Sequence, residues 1–196
     1  MEDVRIPEAF TQIGTRVWDT AICMSKSFEH LKGELPFADA RILEIGAGCG
    51  LLGLVLKRLF PNCELTMTEI GVLLDRLTAH VAQNGFGSDS KLTCKILDWF
   101  KTDLVADFEA PGSYHVILAS DIAVDPNDIP HICRLLSHFV QGQTVCYIGC
   151  VTIREAYHPF VDAISALFDV SEIPEEHYHP NYKTNRIKVF RIVARA

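Results

Sequence analysis

Residues 41–60 read RILEIGAGCGLLGLVLKRLF: a short apolar run, glycines at positions 46, 48 and 50, then a longer apolar run that stops at Pro61-Asn62. A short apolar stretch that ends in glycine and gives way to a longer one is the pattern of a buried strand, a tight turn and a helix. Glycines at alternate positions let the backbone turn sharply, and they let a ligand approach it where a Cβ would block the way. The chain therefore contains a β-α unit whose connecting loop is shaped for a ligand.

The same alternation continues toward the C-terminus. Glu64–Thr68 alternates as a strand, and Val72–Asn84 places Leu73 or Leu74, Leu77 and Val81 on one helical face before Asn84-Gly85 stops it. Leu92–Leu97 and His115–Ser120 read as third and fourth strands. After an acidic loop, Ile129, Ile132, Leu135, Leu136 and Phe139 recur at helical spacing. Thr144–Gly149 is a fifth strand, and Pro159–Phe168 a helix bearing Phe160, Ile164 and Leu167 that tolerates its proline in the first turn. Asp169–Ile173 and Arg186–Ala194 follow as two strands with no helix between them, which predicts an antiparallel pair.

Five β-α units followed by a β-β pair predict an α/β fold: a mostly parallel sheet with helices on both faces and a reversed strand near one edge. Ligands of such sheets sit at the carboxyl ends of the strands, near the point where strand order reverses. The loops after Ile45, Thr68, Leu97 and Ser120 are thus the expected site.

The chain has 196 residues, a length suited to one domain, with residues 1–34 expected as an N-terminal segment and helix and residues 41–196 as the α/β core. Hydrophobic residues make up 48%, which excludes general disorder. A net charge of −7 argues against a nucleic-acid partner and suits a basic one. The seven cysteines form no C-x-x-C pair and lie mostly in apolar runs, so they are expected as reduced core residues of a cytoplasmic protein, with no metal site. The start lacks a signal-peptide pattern and no run of 18 apolar residues occurs, so no membrane association is expected. The last strand ends close to Ala196, and no appended recognition domain is expected.

The glycine loop has two readings. As G-x-G-x-x-G it uses Gly48, Gly50 and Gly53, a dinucleotide fingerprint with the pyrophosphate on a helix N-terminus. As E-x-G-x-G-x-G it uses Glu44, Gly46, Gly48 and Gly50 and resembles motif I of class I S-adenosylmethionine-dependent methyltransferases. The first leaves Gly46 unexplained and sets Glu44 near a phosphate it would repel, whereas the second lets the acid face a cationic cofactor. Glu69, at the end of the second strand, can accept both ribose hydroxyls, and it serves either reading.

Further motifs extend the second reading. Gly14-Thr15-Arg16-Val17-Trp18-Asp19, Thr66-Met67-Thr68-Glu69, Leu97-Asp98-Trp99 and Ala119-Ser120-Asp121 occur in order around motif I. With it they resemble the seven-stranded protein methyltransferases grouped as methyltransferase-like family 16, over about Gly14 to Asp125. The resemblance implies a Rossmann-like sheet, S-adenosyl-L-methionine as methyl donor and S-adenosyl-L-homocysteine as product. It implies that Trp18 and Trp99 line the cofactor pocket and that Asp98 hydrogen-bonds the adenine amino group. Gly46, Ala47 and Gly48 would pass under the methionine part, with Glu44, Gly50, Glu69 and Ser120 completing the cofactor set. Asp121 would be the catalytic-site acid beside an incoming lysine of a cytosolic protein, the enzyme being expected as a cytoplasmic monomer with a nuclear pool open.

One departure bears on the acceptor. The family carries D-x-x-Y after the fourth strand, and here the four residues are Asp121-Ile122-Ala123-Val124. A carboxylate remains to pair with a lysine ammonium, but an aromatic wall would have to come from elsewhere. Tyr157, Tyr178 and Tyr182 are candidates, the last two in a segment, Glu176–Tyr182, expected near the same rim. The valine keeps open methylation of another nitrogen or a small molecule, and a scaffold that binds cofactor without catalysis.

Overall fold

The computed structural model describes residues 4–7, 14–87, 90–101 and 108–195. Helix α1 (Asp19–His30) precedes strand β1 (Arg41–Ile45), α2 (Leu51–Leu59), β2 (Glu64–Glu69), α3 (Gly71–Gln83), β3 (Leu92–Ile96), β4 (Val116–Ser120), α4 (Ile129–Phe139), β5 (Val145–Val151), α5 (Tyr157–Leu167), β6 (Phe168–Glu172) and β7 (Ile187–Ala194). One seven-stranded sheet runs in the order β3-β2-β1-β4-β5-β7-β6. The strands from β3 across to β5 are parallel, and β7 is antiparallel to both its neighbours. The reversed strand expected near one edge is thus β7, second from the edge, with β6 outside it.

Strand alternation divides the core into two layers. In β1, Ile42 faces one layer while Leu43 and Ile45 face the other. The first layer holds Met24 and Phe28 of α1, Leu52 and Leu56 of α2, and Leu77 of α3; the second holds Leu136 and Phe139 of α4 and Phe160 and Ile164 of α5. Helices cover both faces because nearly continuous apolar strands leave neither face fit for water. α4 buries all five residues expected on its apolar face, with a proline accommodated in its first turn.

Gly149 of β5 sets how closely α1 lies on the sheet. A Cβ there would fall 2.4 Å from Thr20 Cγ2 and 2.6 Å from Met24 Sδ. α1 therefore packs directly on the backbone of β5, which brings its N-terminal end over the carboxyl ends of the strands.

Three expectations differ from the structure. No helix follows β3 among the described residues, so helices follow four of the first five strands rather than all of them. Phe168 is extended (φ −132°, ψ 165°) and buried in β6 rather than closing α5, because the helix passes straight into the strand. Leu167, expected on the apolar face of α5, is exposed at that junction.

Candidate active site

The order of the sheet reverses between β1 and β4, and the carboxyl ends of those strands open into a cavity of about 240 Å³. Its walls come from the loops after β1, β2, β3 and β4 and from the segment before α1. Trp18, Gly46, Ala47, Gly48, Glu69, Trp99, Ser120 and Asp121, eight of the eleven residues expected at the site, line it.

The glycine loop is tied to the end of the neighbouring strand. The Ala47 N–H donates to Thr68 O at 2.8 Å, and the Gly48 N–H donates to Glu69 Oε1 at 2.9 Å. Gly48 has φ +56°, and a Cβ there would rest in ordinary contact with the Gly14 backbone, 3.6 Å from its O, so it is the left-handed backbone that calls for glycine. Gly46, at φ +64°, would press a Cβ to 2.9 Å from Ile122 Cγ2 and 3.5 Å from the Trp99 ring. The loop needs glycine both for its left-handed backbone and for the wall that closes over it.

Glu69 Oε2 accepts from the Ile70 N–H at 2.7 Å, so each of its oxygens holds one backbone N–H and keeps a lone-pair direction. Burial pushes its carboxyl above the usual range, and the two N–H groups hold that shift back. A buried carboxylate aimed into a cleft with acceptor capacity left suits a pair of vicinal hydroxyls. Trp99 Nε1 is buried without a hydrogen-bond partner, an orphaned donor in the wall of the same cavity. The glycine-loop backbone in the cavity wall, unused acceptor capacity at Glu69 and the unpaired Trp99 indole donor together fit an adenosyl ligand.

Three expected cofactor residues lie outside the walls, two packed into the core and one held by local polar contacts. Glu44 points into the first core layer against Gly53 of α2, where a Cβ would fall 2.3 Å from its Oε2. Burial pushes its carboxyl up to about 8, with the Gly53 N–H opposing the shift and the charge of Glu69 adding to it. It does not line the cavity. Gly50 opens α2 at φ +84° with Leu77 and Met67 against its backbone, so its function is close packing. The Asp98 carboxylate caps its own turn by accepting from the Phe100 N–H at 3.1 Å and pairs with exposed Lys101 at 3.5 Å.

The other end of the cavity is built from side chains distant in sequence. Asp121 follows β4 at φ +57°, and its N–H donates to Gly149 O at 2.8 Å. Its carboxylate does not stand ready for an ammonium, as expected from the motif. It is held by Arg154, whose Nε donates to Oδ1 at 2.8 Å and whose Nη2 donates to Oδ2. The same guanidinium lies 5.2 Å from the centre of the Trp18 ring, and that of Arg16 lies 5.0 Å from it. Val124 lines the cavity where the family has tyrosine.

None of the three candidate tyrosines replaces the missing ring. Tyr157 lies by Phe190, and Tyr178 is buried with its Oη accepting from the Val189 N–H. Tyr182 and His179 sit against Lys26 and His30, at the end of α1 remote from Trp18. The aromatic surface of the cavity comes from Trp18 and Trp99 instead. Arg154 lies in the loop after β5, beyond the loops after Ile45, Thr68, Leu97 and Ser120 that form the expected site. The carboxyl-end rule applies to that parallel strand as well and points to residues 152–156.

Among the described residues no cluster of three or more His, Cys, Asp or Glu side chains is placed to hold a metal ion, and no helix is long and apolar enough to cross a membrane. Six of the cysteines are buried, Cys94 is half-buried, and none is in a disulfide.

Comparison with known proteins decides the family. The sequence profile of a family described as lysine methyltransferase matches residues 3–167. This chain belongs to that family. The zebrafish (Danio rerio) protein N-lysine methyltransferase METTL21A is 29% identical over 194 residues, covering 97% of this chain and 83% of the relative. The mouse (Mus musculus) METTL21A is 26% identical over 180 residues, covering 90% and 78%. Among solved structures, a precorrin-6y C5,15-methyltransferase from Geobacter metallireducens superposes with a TM-score of 0.60 at 12% identity, covering 97% of this chain and 94% of that one. The fibrillarin pre-rRNA processing protein of Methanococcus jannaschii superposes at 0.64 and 16% identity, covering 95% and 82%. Those structures share the Rossmann-like fold of the class I methyltransferases. The chain is an S-adenosylmethionine-dependent methyltransferase.

Proposed function

We propose that this lysine methyltransferase family member methylates a lysine side chain of a protein. The observation that carries the reading is the match along nearly the whole chain to relatives named protein N-lysine methyltransferases. A net charge of −7 suits a basic protein target, and seven cysteines outside any disulfide suit a reducing cytoplasm. We further propose that the enzyme acts there as a monomer.

When bound, S-adenosylmethionine supplies an electrophilic methyl group on a sulfonium. Glu69 would take the ribose hydroxyls on its free lone pairs, the Trp99 ring would cover the adenosyl group, and the Gly46–Gly48 backbone would hold the methionine part. Trp18, Ile122 and Val124 exclude water from the acceptor end. A lysine attacks only as the neutral amine, and an apolar channel favours that form by disfavouring charge. No covalent nucleophile is needed, since the protein's part is to hold amine and methyl in line. The wall at Val124 offers no hydroxyl, which favours as a second reading an acceptor nitrogen less basic than lysine.

The test is transfer of a tritiated methyl group to a methylation-depleted proteome, followed by acid hydrolysis and amino-acid analysis. Label on Nε-methyl-lysine is the expected result. Label confined to another amino acid or to small molecules would contradict the lysine reading.

A further inference from the structure

The acid of the acceptor motif is already engaged by a cation of this chain. Asp121 exposes only 2% of its side chain, and Arg154 grips both of its oxygens. The pair has little freedom to part. The Asp121 backbone is left-handed and anchored to Gly149 O, so the carboxylate cannot easily swing toward a second partner. The Arg154 side chain is itself four-fifths covered, and its guanidinium faces the Trp18 indole.

We infer that Arg154 is a positioning residue that neutralises Asp121, so that the acceptor end of the cleft admits a free amine and does not hold an ammonium. The inference rests on an amine acceptor, as proposed above, and deepens that reading. A lone buried carboxylate beside the amine would stabilise its protonated form and so oppose attack. A closed carboxylate–guanidinium pair carries no net charge and removes that opposition. The acceptor's proton leaves to solvent before entry, and the amine lone pair is then available.

Other charged and titratable groups surround the pair, two of them, Asp125 and Asp128, in the wall of the same cavity. Arg16 lines the same cavity beside the Trp18 ring and adds positive charge there. Cys150, under the pair on β5, is kept as the thiol because burial pushes it up to about 12. Asp125 accepts from the Asn127 N–H and side-chain amide through one oxygen, Oδ1, so these bonds fix its position and not its charge. Burial and the charge of Asp125 push Asp128 upward, and Glu69 lies at the cofactor end. Tyr157, also near Cys150, is pushed upward by burial and stays neutral.

Sinefungin tests this without knowledge of the substrate, because it carries an ammonium where the cofactor carries the transferable methyl. Calorimetric titration with sinefungin and with S-adenosylhomocysteine at pH 7.5 gives the ratio of their affinities. Wild type is expected to bind the two within about threefold of one another. Arg154→Met, which bares Asp121, is expected to improve sinefungin by about tenfold relative to S-adenosylhomocysteine, a change of about 1.4 kcal/mol. That gain disappears in the double variant with Asp121→Asn, and Arg154→Lys returns the wild-type ratio.

A wild-type preference for sinefungin of more than about threefold, or a change of less than about threefold in Arg154→Met, would overturn the inference. Should Arg154→Met fail to fold, the wild-type ratio decides by the same limit. Absence of binding by either ligand to folded wild type is a separate result that removes the methyl-donor reading and this inference with it.

Discussion

The two ends of the cleft are built by different means. The cofactor end is made largely of backbone: the glycine loop hydrogen-bonds to Thr68 O and Glu69 through Ala47 and Gly48, and its partners lie on adjoining parallel strands. The acceptor end is made of side chains gathered from three places, Trp18 before α1, Asp121 after β4 and Arg154 after β5. The first construction depends on strand order and glycine conformation, and it tolerates few changes. The second depends on which side chains meet, so acceptor chemistry can vary while the cofactor site stays the same.

The sharpest way to separate packing from ligand binding at the cofactor end is Glu44. Its folded carboxyl titrates at about 8, above the ordinary value of 4.5, so the folded state binds the proton more tightly than the unfolded state does. Stability is therefore full below about 4.5 and falls as pH rises through about 8, a loss on the order of 5 kcal/mol. Denaturant unfolding from pH 5 to 9 should show Glu44→Gln gaining on wild type toward pH 9, with S-adenosylhomocysteine affinity changed by less than about threefold. Loss of affinity on the same scale as Glu69 variants would return Glu44 to the ligand site.

At the acceptor end, Arg154→Met leaves a buried carboxylate alone and should cost about 3 kcal/mol in unfolding free energy, most of it recovered when Asp121→Asn is added. Additive losses in that double-mutant cycle would show that the two side chains do not act as a pair. Glu69→Ala should weaken S-adenosylhomocysteine about 100-fold, because two hydrogen bonds to a charged acceptor are lost, whereas Asp121→Asn should change that affinity by less than about threefold. Equal effects at Glu69 and Asp121 would erase the division between the two ends. The smallest effect is expected at Tyr182, at the remote end of α1: Tyr182→Ala should leave methyl transfer within about twofold of wild type.

The sequence made the contiguous features legible. The glycine run, the strand-end Glu69 and the Leu97-Asp98-Trp99 turn each carry their signal within a few neighbouring residues. The hydrophobic period also placed the apolar faces of α3 and α4. What was not legible depended on the direction of a side chain or on distant pairing. Glu44 shares the face of Ile42 by the period of two in a strand, and there it meets Gly53 of α2 in the first core layer. Gly50 and Gly46 look alike in sequence, yet core residues Leu77 and Met67 crowd one while Ile122 and Trp99 of the cavity wall crowd the other. The Asp121–Arg154 contact joins residues 33 apart whose adjacency comes from the pairing of β4 with β5, so no local pattern announces it.

The most direct test of this division is a crystal structure with S-adenosylhomocysteine bound. The account predicts both ribose hydroxyls within hydrogen-bonding distance of the Glu69 carboxylate, and the sulfur facing an Asp121–Arg154 pair that is still closed. A ligand whose ribose contacts other residues, or an Arg154 turned away with Asp121 bare to the cleft, would contradict it.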